Sequence, residues 1–458
     1  MAANDWVGTS PLRFERAATL PGNTPVTDGK LLGWLAGMMA QDRHYHTVMA
    51  TLTASENYPS AVVRAAAAFF GGEHYFFDAP CEGHCGEWSF PRSGTLPALQ
   101  AKFLAQMKRL FAADIADWRP NGGSMCEQAV VMAACKGGEA FVELAPEDGG
   151  HFGASVLAER LGIESFAFPM RDDLIDVDAT MRLIEEHPSI RLLLVQPSHC
   201  RRPQPIDELA SALPDRVTLA VDVSHTAGLI AGGLLPQPLL QGADILTFNT
   251  HKTLPGPNKG VIAFADRDHP LAHTMWETIC PQLQSNSHAE CLPGLVIALE
   301  EIANFGRAYA EQVVANARTL AQVLDRNGVN VLGMEYGGTR THQVHVHLGS
   351  AEVANKAANE RLPMCGIRTN SVLIPGTGGE FGLRLGTQAL TRRGLTEVGF
   401  AKLGDLLSQA LRWTGNPGLI REEVADLLED HPLFPLHFSF DQPAYGEHVA
   451  RLLAEVLR

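Results

Sequence analysis

Between residues 98 and 270, stretches with helical spacing alternate with short apolar runs, and this alternation narrows the fold more than any other feature of the chain. Helical spacing covers 98–111, 124–136, 153–162 and 178–187. The apolar runs are FVEL at 141–144, RLLLVQ at 191–196, VTLAVDVS at 217–224, DILTFN at 244–249 and VIAFA at 261–265. Runs of this length without polar alternation suit strands covered on both faces, so the pattern predicts an α/β architecture with a mainly parallel sheet between helices. In such sheets ligands bind beyond the carboxyl ends of the strands.

The flanking segments read differently. Residues 1–30 are spaced by Pro11, Pro21, Gly22 and Pro25, and a helix is expected over about 30–50. Residues 71–97, rich in Gly, Pro and aromatics, read as a long loop of the functional kind. A long helix is expected over about 293–327, stopped at Asn327-Gly328. VHVHLG, FGLRLGT and a helical stretch near 395–412 then suggest a smaller α+β domain. The expected organisation is an N-terminal arm and helix (1–50), a large domain (51–292), a linking helix (293–328), a small C-terminal domain (329–414) and a helical tail (415–458).

A formal net charge of -15 argues against nucleic acid as the main partner. No apolar run reaches the length of a membrane span, the N-terminus has no apolar signal core, and the 8 cysteines are scattered. These features predict a soluble cytoplasmic protein with reduced thiols, without a membrane partner.

Three strand ends carry polar groups. AVDVSHTAG runs into Asp222, with His225 beyond it; DILTFNTHKTLPG runs into Thr250, His251 and Lys252; DWRPNGGSMCEQAV opens a helix at Gly122, Gly123 and Ser124. Singly, each has an ordinary explanation: a surface lysine, a turn-forming aspartate, a plain tight turn. Together, in the chain order of phosphate turn, aspartate and lysine, they meet the needs of pyridoxal phosphate: helix N-terminal N–H groups for a dianionic phosphate, a carboxylate to keep the pyridine nitrogen protonated, and an amine for a Schiff base.

VDVSHTAGLIAGG, TFNTHKTLPGPNKG, LTASENYPS, EDGGHFGAS and FGLRLGTQALTRRG together resemble serine hydroxymethyltransferase over about residues 50–410. The resemblance implies a fold-type-I pyridoxal-phosphate transferase of aspartate aminotransferase-like architecture. It makes Lys252 the Schiff-base lysine, Asp222 the partner of the pyridinium nitrogen, His225 the histidine near the phenolic oxygen and His151 the histidine stacked on the ring. Gly122, Gly123, Ser124, Ser198, Thr250, His251 and Ser285 join the cofactor-binding set. Arg384 would clamp the substrate carboxylate with Ser55 nearby. It also implies a homodimer, in which Tyr75 and Ser285 to His288 serve the neighbouring site.

The departures matter as much. Phe77 stands where the hydroxymethyltransferases have a glutamate, CGEWSFP (85–91) replaces their Tyr-Tyr region, PQLQSN (281–286) replaces a glycine-rich stretch, and Asn258 replaces an arginine. The altered pattern is similar to the L-threonine transaldolases of natural-product biosynthesis. That subgroup implies retro-aldol cleavage of L-threonine to acetaldehyde and a glycyl quinonoid, then addition to an acceptor aldehyde to give a β-hydroxy-α-amino acid. Folate-dependent serine hydroxymethyl transfer, a threonine or phenylserine aldolase, and a non-enzymatic scaffold are the alternatives. His151 and Glu87 are both candidates for the base, Glu87 reading equally well as a solvated loop charge. His74, Cys81, His84 and Cys85 lack the spacing of a second ligand pair, so no metal site is expected. His345 and His347 share one strand face, which His342 does not.

Overall fold

The computed structural model describes residues 30–76, 84–85, 88–91 and 94–456. Helix α1 (Lys30–Val48) matches the expected N-terminal helix, and described residues 30–46 belong to a unit of their own; Trp34 and Met39 are exposed on it. Residues from Thr47 onward form a second compact unit.

A seven-stranded sheet organises that second unit. Its strands are β1 (Ile115–Asp117), β2 (Ala140–Glu143), β3 (Glu164–Ala167), β4 (Ile190–Val195), β5 (Thr218–Asp222), β6 (Ile245–Asn249) and β7 (Gly260–Phe264). Their spatial order is β1-β7-β6-β5-β4-β2-β3. All neighbours run parallel except β7, which is antiparallel to both β1 and β6. The five apolar runs of the sequence became the five strands β2, β4, β5, β6 and β7. Edge strand β3 escaped notice because ESFA is largely exposed, and β1 because it has only three residues.

Side chains alternate between the two faces, as strand geometry demands. Leu192, Leu194, Ala220, Ile245 and Ile262 point to one face and pack with Val130, Ala158 and Trp276. Leu193, Val195, Leu219, Val221, Leu246 and Phe248 point to the other and pack with Phe103, Phe111 and Leu299. Both faces are therefore dry, which explains the absence of polar alternation in these strands. Truncating a fully buried member such as Leu193 to alanine should cost about 2–5 kcal/mol.

Helix α2 (Cys291–Arg326), at about 1.5 Å per residue, is long enough to serve two cores. Leu295, Leu299, Ile302 and Val313 belong to the sheet's core, whereas Ala317, Leu320 and Leu324 belong to a second one. The second core lies under an antiparallel sheet of order β8-β10-β9, with β8 (Gln343–Gly349), β9 (Asn370–Leu373) and β10 (Phe381–Gly386). Ala50 and Leu52 pack there too, beside Ile367 and Leu385. We propose the division into large and small domains along this change of core. The tail is tied back: Asp441 accepts the N–H of Ala61 at 3.0 Å, and buried Glu301 accepts the N–H of Phe440 at 2.9 Å while pairing with buried Arg392 at 3.2 Å.

Candidate active site

The carboxyl ends of β1, β5 and β6 lie at the same edge of the sheet. Beyond β1, the Arg119 guanidinium grips the Asp117 carboxylate and shapes the turn leading to helix α3 (Gly123–Ala134). The Gly123 N–H donates to Asn249 Oδ1 at 2.8 Å. A Cβ at residue 123 would lie 2.7 Å from Asn249 Nδ2 and 3.0 Å from Ser224 Oγ, so only glycine fits without displacing them. Lys259 braces the turn, its Nζ donating to the Arg119 carbonyl (2.8 Å), Asn121 Oδ1 (3.2 Å) and the Ser287 carbonyl (3.1 Å). Burial lowers the Lys259 ammonium to about 8.

Asp222 closes β5 and is almost fully buried. Its carboxylate accepts the Ser224 N–H (2.9 Å), the Ser224 hydroxyl (3.0 Å) and the Thr247 hydroxyl (2.8 Å), which together offset the cost of burying it. After β6, the Thr250 hydroxyl is spent on the loop itself, donating to the carbonyls of Pro257 and Lys259. Lys252 follows, with its carbonyl held by Asn57 Nδ2 at 2.6 Å and its Nζ 3.1 Å from His225 Nε2. Burial pushes the Lys252 amine below the usual lysine range; Asp222 opposes that shift and Arg384 adds to it. His251 keeps an unpartnered Nδ1, and burial holds it down to about 4.

From the antiparallel sheet, Arg384 reaches the same edge. Its Nη1 donates to the Ser198 carbonyl at 2.9 Å, while its buried Nε has no partner. Burial lowers its pKa to about 10. His199 beside it also has a buried, unpartnered Nδ1, and burial with the nearby Arg384 and Arg201 charges lowers it to about 3.

One pair was not anticipated. Glu127 Oε2, buried on α3, lies 2.7 Å from His151 Nδ1. The bond to Glu127 raises the His151 imidazole, and burial raises the Glu127 carboxyl, so the pair holds a proton firmly. Asp222 and Lys252 act electrostatically on both members. The available signal was an acid inside the apolar helical stretch MCEQAVVMAA, a position that calls for a partner. Glu143 stands behind them at the end of β2, lifted by burial to about 7 and bonded to Gln196 Nε2 at 2.9 Å.

The remaining residues are placed less centrally. Ser124 is exposed on the first turn of α3, Ser285 is exposed, and Tyr75 is exposed and stacks on Phe90 at 4.9 Å. Ser55 is half-buried next to Ala54, whose carbonyl meets His342 Nε2 at 3.2 Å. Glu87, Phe77 and Cys81 lie outside the described residues. Among the described residues, no group of three or more His, Cys, Asp or Glu is placed to hold a metal ion.

The serine hydroxymethyltransferase family model matches residues 34–407. The chain belongs to the serine hydroxymethyltransferase family. Within this family it is 34% identical over 348 residues to the serine hydroxymethyltransferase of Pyrococcus furiosus, covering 73% of this chain and 80% of that protein. It is 32% identical over 416 residues to that of Cenarchaeum symbiosum, covering 86% and 92%. A crystal structure of L-threonine transaldolase from Pseudomonas fluorescens in internal aldimine state matches with a TM-score of 0.89 and 41% identity, over 92% of this chain and 97% of that one. The hydroxymethyltransferase family fold is that of fold-type-I transferases, in agreement with the α/β class and mainly parallel sheet. No helix among the described residues is long and apolar enough to cross a membrane.

Proposed function

We propose that the chain is a pyridoxal-phosphate-dependent L-threonine transaldolase. It cleaves L-threonine to acetaldehyde and joins the glycyl unit to a second aldehyde, giving a β-hydroxy-α-amino acid. The observation that carries this reading is the 41% identity to the Pseudomonas fluorescens transaldolase over 92% of the chain. The hydroxymethyltransferases named above reach only 32% and 34%.

The residues present fit pyridoxal phosphate. The turn before α3 opens a helix of 12 residues, whose N-terminus favours a dianion, and it is held in shape by Gly123, packed against Asn249 and Ser224 where no Cβ fits. Gly122 and Ser124 would hold the phosphate, with Gly123 shaping the turn through its bond to Asn249, and Ser198, His251, Ser285 and the loop fixed by the Thr250 hydroxyl would complete the surround. When bound, the cofactor supplies an electron sink for the carbanion left by carbon–carbon cleavage.

The protein's own groups do the rest. Lys252, lowered by burial, presents more of its amine in the nucleophilic form. Asp222, held by three donors, keeps a proton on the ring nitrogen. Arg384 binds the amino-acid carboxylate through its unpartnered Nε edge and so orients the bond to be broken. Glu127 and His151 accept and return the proton of the β-hydroxyl oxygen, a use for a half-buried imidazole that shares a proton with a buried carboxyl. His225 donates beside Lys252. A homodimer would bring Tyr75 and Ser285 to the neighbouring site, and the cytoplasm is the expected location.

The test is direct. Purified protein with added cofactor, L-threonine and a panel of aldehydes should release acetaldehyde and form one new β-hydroxy-α-amino acid per acetaldehyde. Absence of acetaldehyde with and without an acceptor would sink the proposal. Serine turnover dependent on tetrahydrofolate would establish the hydroxymethyltransferase reading instead. Glycine accumulation without a new amino acid would establish a simple aldolase.

A further inference from the structure

We infer that Gln343 is a positioning residue that holds His225 as a neutral imidazole with its proton on Nε2. The two ends of the Gln343 amide are distinguished by partners whose chemistry is fixed. The Cys200 backbone N–H lies 3.0 Å from one end and can meet only an oxygen, so that end is Oε1. The Ser198 carbonyl lies 3.0 Å from the other and can meet only N–H, so that end is Nε2. A flipped amide would set two donors and two acceptors against each other in a fully buried place.

Gln343 Nε2 lies 3.0 Å from His225 Nδ1. An amide nitrogen only donates, so His225 Nδ1 must offer its lone pair. The one proton of the neutral ring is then on Nε2, which lies 3.1 Å from Lys252 Nζ. A second proton on Nδ1 would point at the amide hydrogens. Burial is the main obstacle to a second proton on His225, and Lys252, Arg384, His342 and His199 act electrostatically in the same direction.

The surroundings keep the amide from turning. His345 Nε2 lies 3.0 Å from Gln343 Oε1 and can only be its donor, so the oxygen end is bonded twice. His342 stacks on the His225 ring at 5.8 Å and 15°. The Thr253 hydroxyl anchors the His225 carbonyl at 2.8 Å.

The functional consequence rests on the proposed function. In the loaded protein, with the lysine amine committed, His225 would be the residue placed to donate from Nε2 to the cofactor's phenolic oxygen. A His225 Nε2–H locked as donor then stabilises charge on that oxygen throughout turnover.

Full-length protein labelled with 15N-histidine tests the assignment through long-range ring proton–nitrogen correlations. His225→Asn identifies the His225 signals by their loss. Expected are a protonated-type Nε2 and an unprotonated-type Nδ1 in cofactor-loaded protein and, without cofactor, above the pH at which the Lys252 amine loses its proton, since an ammonium at Nζ could only donate to Nε2. Gln343→Leu should draw the two nitrogen shifts together as both tautomers become populated. In cofactor-loaded protein the same substitution should move the pH midpoint of the visible band upward by at least about half a unit, because an oxygen anion without its donor holds the neighbouring proton more tightly. A protonated Nδ1 in the unsubstituted protein overturns the inference, as do unchanged ring shifts in Gln343→Leu. If that variant does not fold, the unsubstituted spectrum decides alone. Failure to bind the cofactor would sink the transaldolase proposal and leave the tautomer result standing.

Discussion

The two walls that meet around Lys252 are built from opposite chemistry. The seven-stranded sheet and the helix that opens after β1 contribute acids, namely Asp222, Glu127 and, behind them, Glu143, all buried. The antiparallel sheet contributes Arg384, Gln343 and His345, with His342 just before it, and no acid among these. Lys252 feels both, since Asp222 raises its pKa and Arg384 lowers it. On the proposed function the acidic wall manages protons, and the basic wall presents the unpartnered Arg384 Nε, with His199 Nδ1 from the loop after β4 beside it, to an anion. The proposed function would thereby place recognition of an amino-acid carboxylate and proton handling on separate elements, so each could be damaged without the other.

The largest effect should come from the residue between the walls. Lys252→Ala removes the amine both walls tune, and turnover with threonine should fall by at least about three orders of magnitude, with loss of the cofactor's lysine-linked visible band. Next, Arg384→Lys keeps a positive charge and loses the planar fork. The KM for threonine should rise about 10- to 100-fold, with the KM for the aldehyde little changed. Equal increases for both substrates would show that the basic wall does not single out the carboxylate. Gly123→Ala, on the acidic side, should weaken cofactor binding about tenfold by displacing Asn249 and Ser224, as read by spectroscopic titration, and leave the threonine KM in place.

The walls also differ in how far the sequence reveals them. Asp222 and Lys252 each end an apolar run, and Gly122-Gly123 precedes a helical one, so short local patterns expose all three. Glu127 and His151 are separated by 24 positions, and Gln343 and His225 by 118, and nothing local links either pair. The strand THQVHVHLG showed which residues share a face and could not show that Gln343 meets a histidine from another sheet. The strands followed the same logic. Those covered on both faces were legible from apolar runs, while exposed β3 and three-residue β1 have no such signature. Glu87, one of the two candidates for the base, lies outside the described residues, while the buried acid beside the other candidate, His151, is Glu127, whose helix hides it among apolar neighbours.

The smallest effect is the most specific to the acidic wall, and its sign follows from the two shifts. Glu127 raises His151, and burial raises Glu127, so both groups bind their proton more tightly in the folded chain than in the unfolded one. A group raised on folding contributes stability that is complete below its unfolded pKa and is lost as pH rises through its folded value. The loss therefore begins near the unfolded carboxyl value of about 4.3 and continues above the unfolded imidazole value of about 6.5. Cofactor-free protein should thus show a thermal midpoint that declines across this window. Glu127→Gln removes the carboxyl and the main cause of the His151 shift, so the decline should flatten. In the loaded enzyme the same substitution should move the His151-dependent limb of the kcat profile to lower pH, because the imidazole then loses its proton more easily. A profile that moves to higher pH, or a decline in thermal midpoint that persists unchanged, would mean that Glu127 does not set the protonation of His151, and the proton-handling role of that wall would fall with it.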